Sequence, residues 1–589
     1  MNETSKAALR RSRDPAFVQR YFSGAGIDIG AKADSLATHQ RAFPRIASVE
    51  PWGKARGELQ KMPGLDDASF DFVHASHCLA DQDKPYETLS RWLDLLKPGG
   101  FAVVTVPDED LYGKGEWPNR FNRNHKSSFT MCKPAQALPR SVEVLDLVRS
   151  MTHVAECERV LLVRDHYDDE RANVDQTAHG VAECAIEIVL RKRDVLTASQ
   201  MMDLAGRARS VDECIAMCET MVRTYPYRFD VCHRALMLAV RWDVPEKGNA
   251  WLQQAVERLP ADHLPKLYRA LHAISCGKLQ LGFAMRENLM SKFGWQRRTT
   301  TQPPQNIPAW KGQPLQGKSI AIWSEFGLGD EIFFLRFARI FREHCAASRV
   351  VVVCQAPLVE LYEASGEADQ IVAVADAANL SDVDYWVYPH AIPAWLPLDL
   401  EALPDTVPYL RAPADAVSRL PDVGSGKLKV GVVFKGNPTH ENDRQRSLAS
   451  LSVLDELFGL EGMEFFSLQK GAGADEAAHY AQTRDNFHDV GAHLNSMAET
   501  ASAIAALDVV VTVDTSVAHV AGALGKPVWL LLPAYGDWRW HYTREDSPWY
   551  PTMRLFRRRF NCDWTEVVAR VAGHLMSLQA QMAESREGD

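Results

Sequence analysis

Two nearly unbroken apolar runs near the C-terminus, residues 507–513 (LDVVVTV) and 528–532 (VWLLL), constrain this chain more than any other feature. Runs of that kind read as strands buried on both faces of a parallel sheet, and parallel neighbours need a crossover between them. Here the crossover is short. Asp514, Thr515 and Ser516 lead into the Ala/Val-rich stretch 517–524, which reads as a helix stopped by Gly525. The outcome is a βαβ unit whose first strand delivers an acid and two hydroxyls to the carboxyl edge of a sheet. Ligands of open α/β sheets bind at that edge, where free N–H groups of a helix N-terminus attract phosphate. A substrate with a diphosphate is the guest this arrangement predicts.

The pattern recurs upstream. Residues 428–434 form an apolar run that ends at Lys435, Gly436 and Asn437, and 443–447 (DRQRS) follow in a polar loop. Lys435 beside Asn437 can neutralise diphosphate oxygens as charge grows on a leaving group. Arg444 and Arg446 suit phosphate through paired hydrogen bonds, with a plain solvated loop as the alternative. Asp514 can hold ligand hydroxyls while Thr515 and Ser516 face phosphate. His519, one turn along the helix, reads either as a donor to the ligand or as a satisfied core residue. Asp537-Trp538-Arg539-Trp540 follows the last of these strands and either flanks a nucleotide base or packs. Earlier still, 318–323 reads as a strand and 331–345 as a helix, with Gly327, Gly329 and Asp330 in the turn between them. The glycines alone serve any tight turn, and an Asp there is also a good helix cap.

Three of these segments together resemble a known family. The stretch VTVDTSVAHVAGALGKPVWLLLP with DWRWHYTREDSPWYPTMRLFR, the Trp323–Glu331 stretch WSEFGLGDE with Trp310-Lys311-Gly312, and GVVFKGNPTHENDRQRS at 431–447 occur in order. They are similar to the bacterial glycosyltransferases related to the heptosyltransferases, and most of all to the subgroup joined to tetratricopeptide repeats. The resemblance implies a GT-B fold, in which two Rossmann-like domains flank the active site, and inverting transfer without a divalent ion. It also implies that Asp330 is the base that takes the acceptor proton, with Glu325 in reserve and Gly327 and Gly329 shaping the acceptor-side turn.

The N-terminal segment has its own likeness. Gly26-Ile27-Asp28-Ile29-Gly30 reads as a first strand entering a turn, and Glu50 stands about 20 residues on, where an acid binds ribose hydroxyls in nucleotide-binding α/β folds. With 69–77, which includes Asp71, and the Lys97-Pro98-Gly99-Gly100 turn before another strand, the segment resembles class I S-adenosylmethionine methyltransferases. Asp28, Gly30, Glu50 and Asp71 are then the candidate cofactor residues. Where that family carries further glycines, this chain has Ala31-Lys32-Ala33-Asp34, which crowds the backbone path beside the cofactor. Two readings stay open: a methyltransferase, or a domain kept for packing or acceptor recognition.

Between 195 and 295 the apolar spacing turns helical, and landmarks recur every 34 residues: Ala216, Ala250, Ala284; Val222, Val256, Met290; Tyr225, Leu259, Phe293; Pro226, Pro260. That period reads as tetratricopeptide-like repeats, which either hold a peptide in their groove or serve only as a spacer between the flanking domains. The expected organisation is α/β and multidomain: a methyltransferase-like Rossmann-type domain at 1–194, an all-α repeat linker at 195–300, and a GT-B pair at 301–415 (acceptor side) and 416–589 (nucleotide-sugar side).

The remaining expectations come from composition. A net charge of −10 disfavours nucleic acid and anionic membrane surfaces as general partners. The charged start at 1–13 and the lack of any long apolar stretch point to the cytoplasm, and 11 scattered cysteines without a CxxC pair point to reduced thiols. Three functions compete: transfer of a sugar from a nucleotide-activated donor to a protein such as flagellin or to a surface glycan, methylation of a glycan or protein, and a non-catalytic repeat adaptor.

Overall fold

The computed structural model describes the chain apart from residues 1–2, 32, 54–57, 134–137, 179–180, 293–300, 399, 401–402, 405, 415–419, 425, 441, 560–561 and 588–589; Lys32, Phe293 and Glu441 of the motifs above thus lie outside the described residues. The chain forms two compact units, Met1–Pro265 and Lys266–Asp589.

In the first unit, strands β1 (Gly24–Ile29), β2 (Ile46–Trp52), β3 (Phe70–Ser76), β4 (Leu96–Pro107), β7 (Ala155–Val163) and β8 (Ala185–Lys192) build one sheet in the order β2-β1-β3-β4-β8-β7. Two short strands, β5 (Ser128–Thr130) and β6 (Ser141–Glu143), pair separately. β1 to β4 run parallel, and β8 is inserted antiparallel between β4 and β7. The strand order reverses beside β1, so the carboxyl ends of β1 and β3 are this sheet's ligand edge.

Helices then take over. Those starting at Val211, Pro245 and Leu279 recur 34 residues apart, as do those starting at Phe229 and His263. The expected landmarks Ala216, Ala250 and Ala284 are nevertheless exposed. The small buried positions are Cys214, Gly248 and Gly282, on the same interval. A Cβ on Gly248 would lie 2.5 Å from Leu236, and one on Gly282 would lie 2.5 Å from Ile274, so close helix contact is what keeps these positions small. The boundary between the units falls inside the helical stretch, after Pro265. Trp251 and Ala255 belong to the core of the first unit, whereas Ile274, Leu279 and Phe283 belong to that of the second. Within the first unit, Asp94 at the end of the Pro85–Asp94 helix anchors the repeat. It accepts from the Tyr225 hydroxyl at 2.9 Å, from Arg228 at 3.0 Å and from Lys192 at 3.5 Å, and all four residues are buried.

The second unit holds two parallel sheets, as the apolar runs predict. One has the order β11-β10-β9-β12, from β9 (Ser319–Ile322), β10 (Arg349–Cys354), β11 (Gln370–Ala373) and β12 (Tyr385–Val387). The other has the order β15-β14-β13-β16-β17-β18, from β13 (Leu428–Val433), β14 (Met463–Ser467), β15 (Phe487–Asp489), β16 (Val509–Val513), β17 (Val528–Leu532) and β18 (Met553–Arg557). The switch points lie between β9 and β12 and between β13 and β16. Both project their following loops toward one cleft, because the Leu328–Glu343 helix after β9 packs on the Ser516–Ala523 helix after β16. Among the described residues, no helix is long and apolar enough to cross a membrane.

Candidate functional site

The loop after β9 turns sharply into its helix. Phe326 adopts φ +64°, a strained value for an aromatic residue, and Gly327 then opens the helix. Asp330 therefore sits in the first helical turn, its Oδ2 accepting from the Gly327 N–H at 3.2 Å. The helix begins three residues earlier than its apolar spacing suggests, because Leu328 and Gly329 complete the first turn. Gly329 lies against the second sheet's helix: a Cβ there would stand 3.0 Å from His519 and 3.7 Å from Ser516 Cα. The acid thus stands one residue from a contact with the helix N-terminus at Ser516.

Two side chains converge on Asp330 Oδ1. Arg539 Nη2 donates to it at 2.5 Å, and His390 Nε2 is 3.5 Å away. Burial by itself would raise the Asp330 carboxyl, but the charges of Arg539 and His390 outweigh it and hold the group well below the usual carboxylate range. Arg539 is itself pinned by Asp537 at 2.8 Å, with the Trp538 ring 4.3 Å and the Phe333 ring 4.7 Å from its guanidinium carbon. Glu325, fully buried, accepts from the His390 backbone N–H at 3.2 Å and faces His390 Nδ1 at 3.2 Å.

Across the cleft, burial and the neighbouring charge of Asp537 push the Asp514 carboxyl up to about 6, against the pull of Arg539 and Arg446. Thr515 caps the Ser516–Ala523 helix by backbone geometry, without a side-chain hydrogen bond. His519 is buried and lowered to about 3, chiefly by burial and then by Arg539, so it stays neutral. Its Nδ1 lies 2.9 Å from the Tyr550 hydroxyl and its ring stacks on Trp540. The core alternative thus accounts for its contacts.

The loop after β13 is less convergent. Lys435 forms an ion pair with Glu476 at the edge of the cleft. Arg446 Nη1 donates to the Asp514 carbonyl at 3.1 Å, and its guanidinium lies against Gly436. Arg444 and Asn437 are exposed, and Asn437 Oδ1 accepts from the Thr439 N–H at 3.0 Å. The structure therefore gathers Asp330, Glu325, Gly329, Arg446, Asp514, Ser516 and His519, and leaves Lys435, Asn437 and Arg444 at the periphery. Sequence reasoning missed Arg539 and His390. Arg539 stood inside a segment read for its tryptophans, and no periodicity marks His390. Among the described residues, no three His, Cys, Asp or Glu side chains are grouped to hold a metal ion.

In the first unit the candidate cofactor residues do not fit S-adenosylmethionine as they stand. Asp28 Oδ1 faces His74 at 2.7 Å, and its Oδ2 accepts from Ser35 Oγ at 2.8 Å and the Leu36 N–H at 2.6 Å. Cys78 covers Gly30, where a Cβ would lie 2.4 Å from the cysteine Cβ. Glu50 pairs with Ile27 two residues before its strand ends. Asp71 must be corrected outright. It lies at the amino end of β3, accepting from the Ala25 N–H at 2.8 Å and from Lys97 at 2.9 Å, at the opposite edge from the cofactor. The Glu3–Arg11 helix is tied to the ligand edge through Ser5 and Asp34. No methyl-transfer step follows from this arrangement.

Residues 13–176 match the family described as a methyltransferase domain, and residues 465–567 match glycosyltransferase family 9 (heptosyltransferase). Protein FlbA of Caulobacter vibrioides is 26% identical over 295 residues, covering 46% of this chain and 48% of FlbA, so the chain spans about half the length of that curated relative. Similar solved structures include the E. coli ADP-heptose lps heptosyltransferase II, at 15% identity and TM-score 0.32, covering 45% of this chain and 99% of that one. The family 9 glycosyl transferase of Veillonella parvula is 14% identical, with TM-score 0.31 and coverage of 42% and 88%. A methyltransferase of Thermotoga maritima is 19% identical, with TM-score 0.20 and coverage of 33% and 100%.

Proposed function

We propose that this enzyme of the glycosyltransferase class, in which a methyltransferase-type domain precedes a glycosyltransferase family 9 domain, moves a sugar from a nucleotide-activated donor to a hydroxyl of a protein or surface glycan, with inversion and without a metal ion. The observation that carries this reading is the contact of Gly329 with Ser516 and His519, which brings the Asp330 turn against a helix N-terminus suited to an anionic leaving group. In this scheme the donor's phosphates lie among the N–H groups at Thr515 and Ser516, with Arg446 beside them and Lys435 reaching in once it leaves Glu476. Asp330 takes the acceptor proton from the far face of the sugar. The acceptor in this reading is a protein, flagellin being one of that kind, or a surface glycan.

The test is a melting screen of the full chain with ADP-, GDP-, UDP- and CMP-linked sugars. A donor at 100 times its dissociation constant stabilises by about 2.7 kcal/mol. Asp330→Asn should keep that shift and lose transfer; if no nucleotide sugar moves the melting point, the reading is wrong.

A further inference from the structure

Asp330 is held from one side only. Its Oδ1 takes both Arg539 and His390, while its Oδ2 accepts from the Gly327 N–H alone among the described residues. The groups behind it are themselves rigid. Arg539 and His390 are each 5% exposed, and Glu325 is 0% exposed. The Phe326 and Phe334 rings stand 4.8 and 4.6 Å from the imidazole. Glu325 fixes the far side of that ring through two contacts to one oxygen, one from the backbone and one from Nδ1. Glu325, Asp330 and His390 come from two different strand ends of the first sheet, and Arg539 comes from the loop after β17, so the two sheets must be correctly apposed for the grip to form.

We propose that Arg539, His390 and Glu325 are positioning residues for the transfer: they clamp Asp330 through Oδ1 and so aim Oδ2 at the acceptor hydroxyl. This rests on the reading of Asp330 as the base. The acceptor O–H bond breaks and its proton goes to Oδ2. The oxygen's electron pair forms the new bond to the anomeric carbon, and the bond from that carbon to the donor phosphate breaks, its electrons leaving with the nucleotide. A base turned by an ångström loses on the order of 100-fold in rate, which is the scale at which such a clamp matters.

The charged and titratable groups around Asp330 are Arg539 and Asp537 from the loop after β17, His390 and Glu325 from the first sheet, Glu331 beside it on the helix, and His519 and Asp514 across the cleft. Of these, Arg539 and His390 favour the ionised carboxylate, so the wild-type rate should show no acid limb near neutral pH.

The experiment uses the full chain and whichever of the ADP-, GDP-, UDP- or CMP-linked sugars binds, following nucleotide release with water in the acceptor's place. Arg539→Gln, His390→Gln and Glu325→Gln are expected to lower kcat by about 10- to 100-fold at unchanged donor KM. Arg539→Gln and His390→Gln should bring an acid limb into the measurable range, whereas Arg539→Lys keeps the charge and restores the flat acid side. Donor-induced melting shifts equal to wild type show that a variant is folded; if Arg539→Gln is not, Arg539→Lys and His390→Gln carry the test. Wild-type kcat and pH profile in these variants, with Asp330→Asn inactive, overturn the clamp and leave the base. An active Asp330→Asn overturns the base reading, and the clamp with it.

Discussion

Arg446 Nη1 donates to the carbonyl oxygen of Asp514 at 3.1 Å, joining the loops that follow β13 and β16 across the switch point of the second sheet. One guanidinium thereby fixes the entrance of the proposed donor site while its charge remains within reach of an anion.

Arg446→Ala should therefore raise the donor KM far more than it lowers kcat. Hydrogen bonds involving a charged group contribute about 1.5–3 kcal/mol, which is roughly a 10- to 100-fold change. Arg446→Lys should recover only part, because a point charge does not reproduce the fork that reaches the carbonyl. Initial rates of nucleotide release against donor concentration measure both; an unchanged KM in Arg446→Ala removes the residue from the donor site.

Asp514 predicts a pH dependence. Burial and Asp537 push its carboxyl up to about 6, so it is neutral below that value and negative above it. Donor KM should rise as pH increases through about 6, since a negative charge then appears beside the phosphates, and Asp514→Asn should abolish that step. The same raised value means that the folded state binds this proton more tightly than the unfolded chain between about pH 4 and 6, so this group's contribution to stability falls as pH rises through that window.

Asp94→Ala should destabilise the first unit by about 3 kcal/mol, because Lys192 and Arg228 would keep buried charge without the acid they share. Differential scanning calorimetry should show the melting of the first unit move down. A melting profile identical to wild type would show that this ion cluster does not hold the repeat.

S-adenosylmethionine should give neither binding heat nor a melting shift with the full chain. Asp28 is already engaged by His74, Ser35 and Leu36, and the room above Gly30 is taken by Cys78. Saturable binding by isothermal titration would refute this.

The strands were legible because burial on both faces leaves a nearly pure apolar signature, as at Leu428–Val433 and Val509–Val513. The helical repeat was legible in its period but not in its facing. A 34-residue interval is kept by every position on a helix, so it cannot separate exposed Ala216 from buried Cys214. Asp71 was misplaced although its strand was legible: it stands near the start of that strand, and ligands bind at the carboxyl end of a parallel strand. Asp330 was found through its turn. His390 could not be, because its tie to Glu325 spans 65 residues and depends on two strand ends becoming neighbours in the folded sheet. Arg539 was hidden by its flanking tryptophans, which advertise packing, although they are what holds the arginine still.

Phe283, on the last described repeat helix, stands edge-on to Trp538 with ring centroids 5.1 Å apart. The final helical pair is thus a wall of the catalytic unit and not an appendage to it. A shortened protein beginning after Lys292 would lay that indole bare to water and slacken the turn on which Arg539 is mounted, so trimming the repeats to obtain a minimal transferase has to stop short of Leu279.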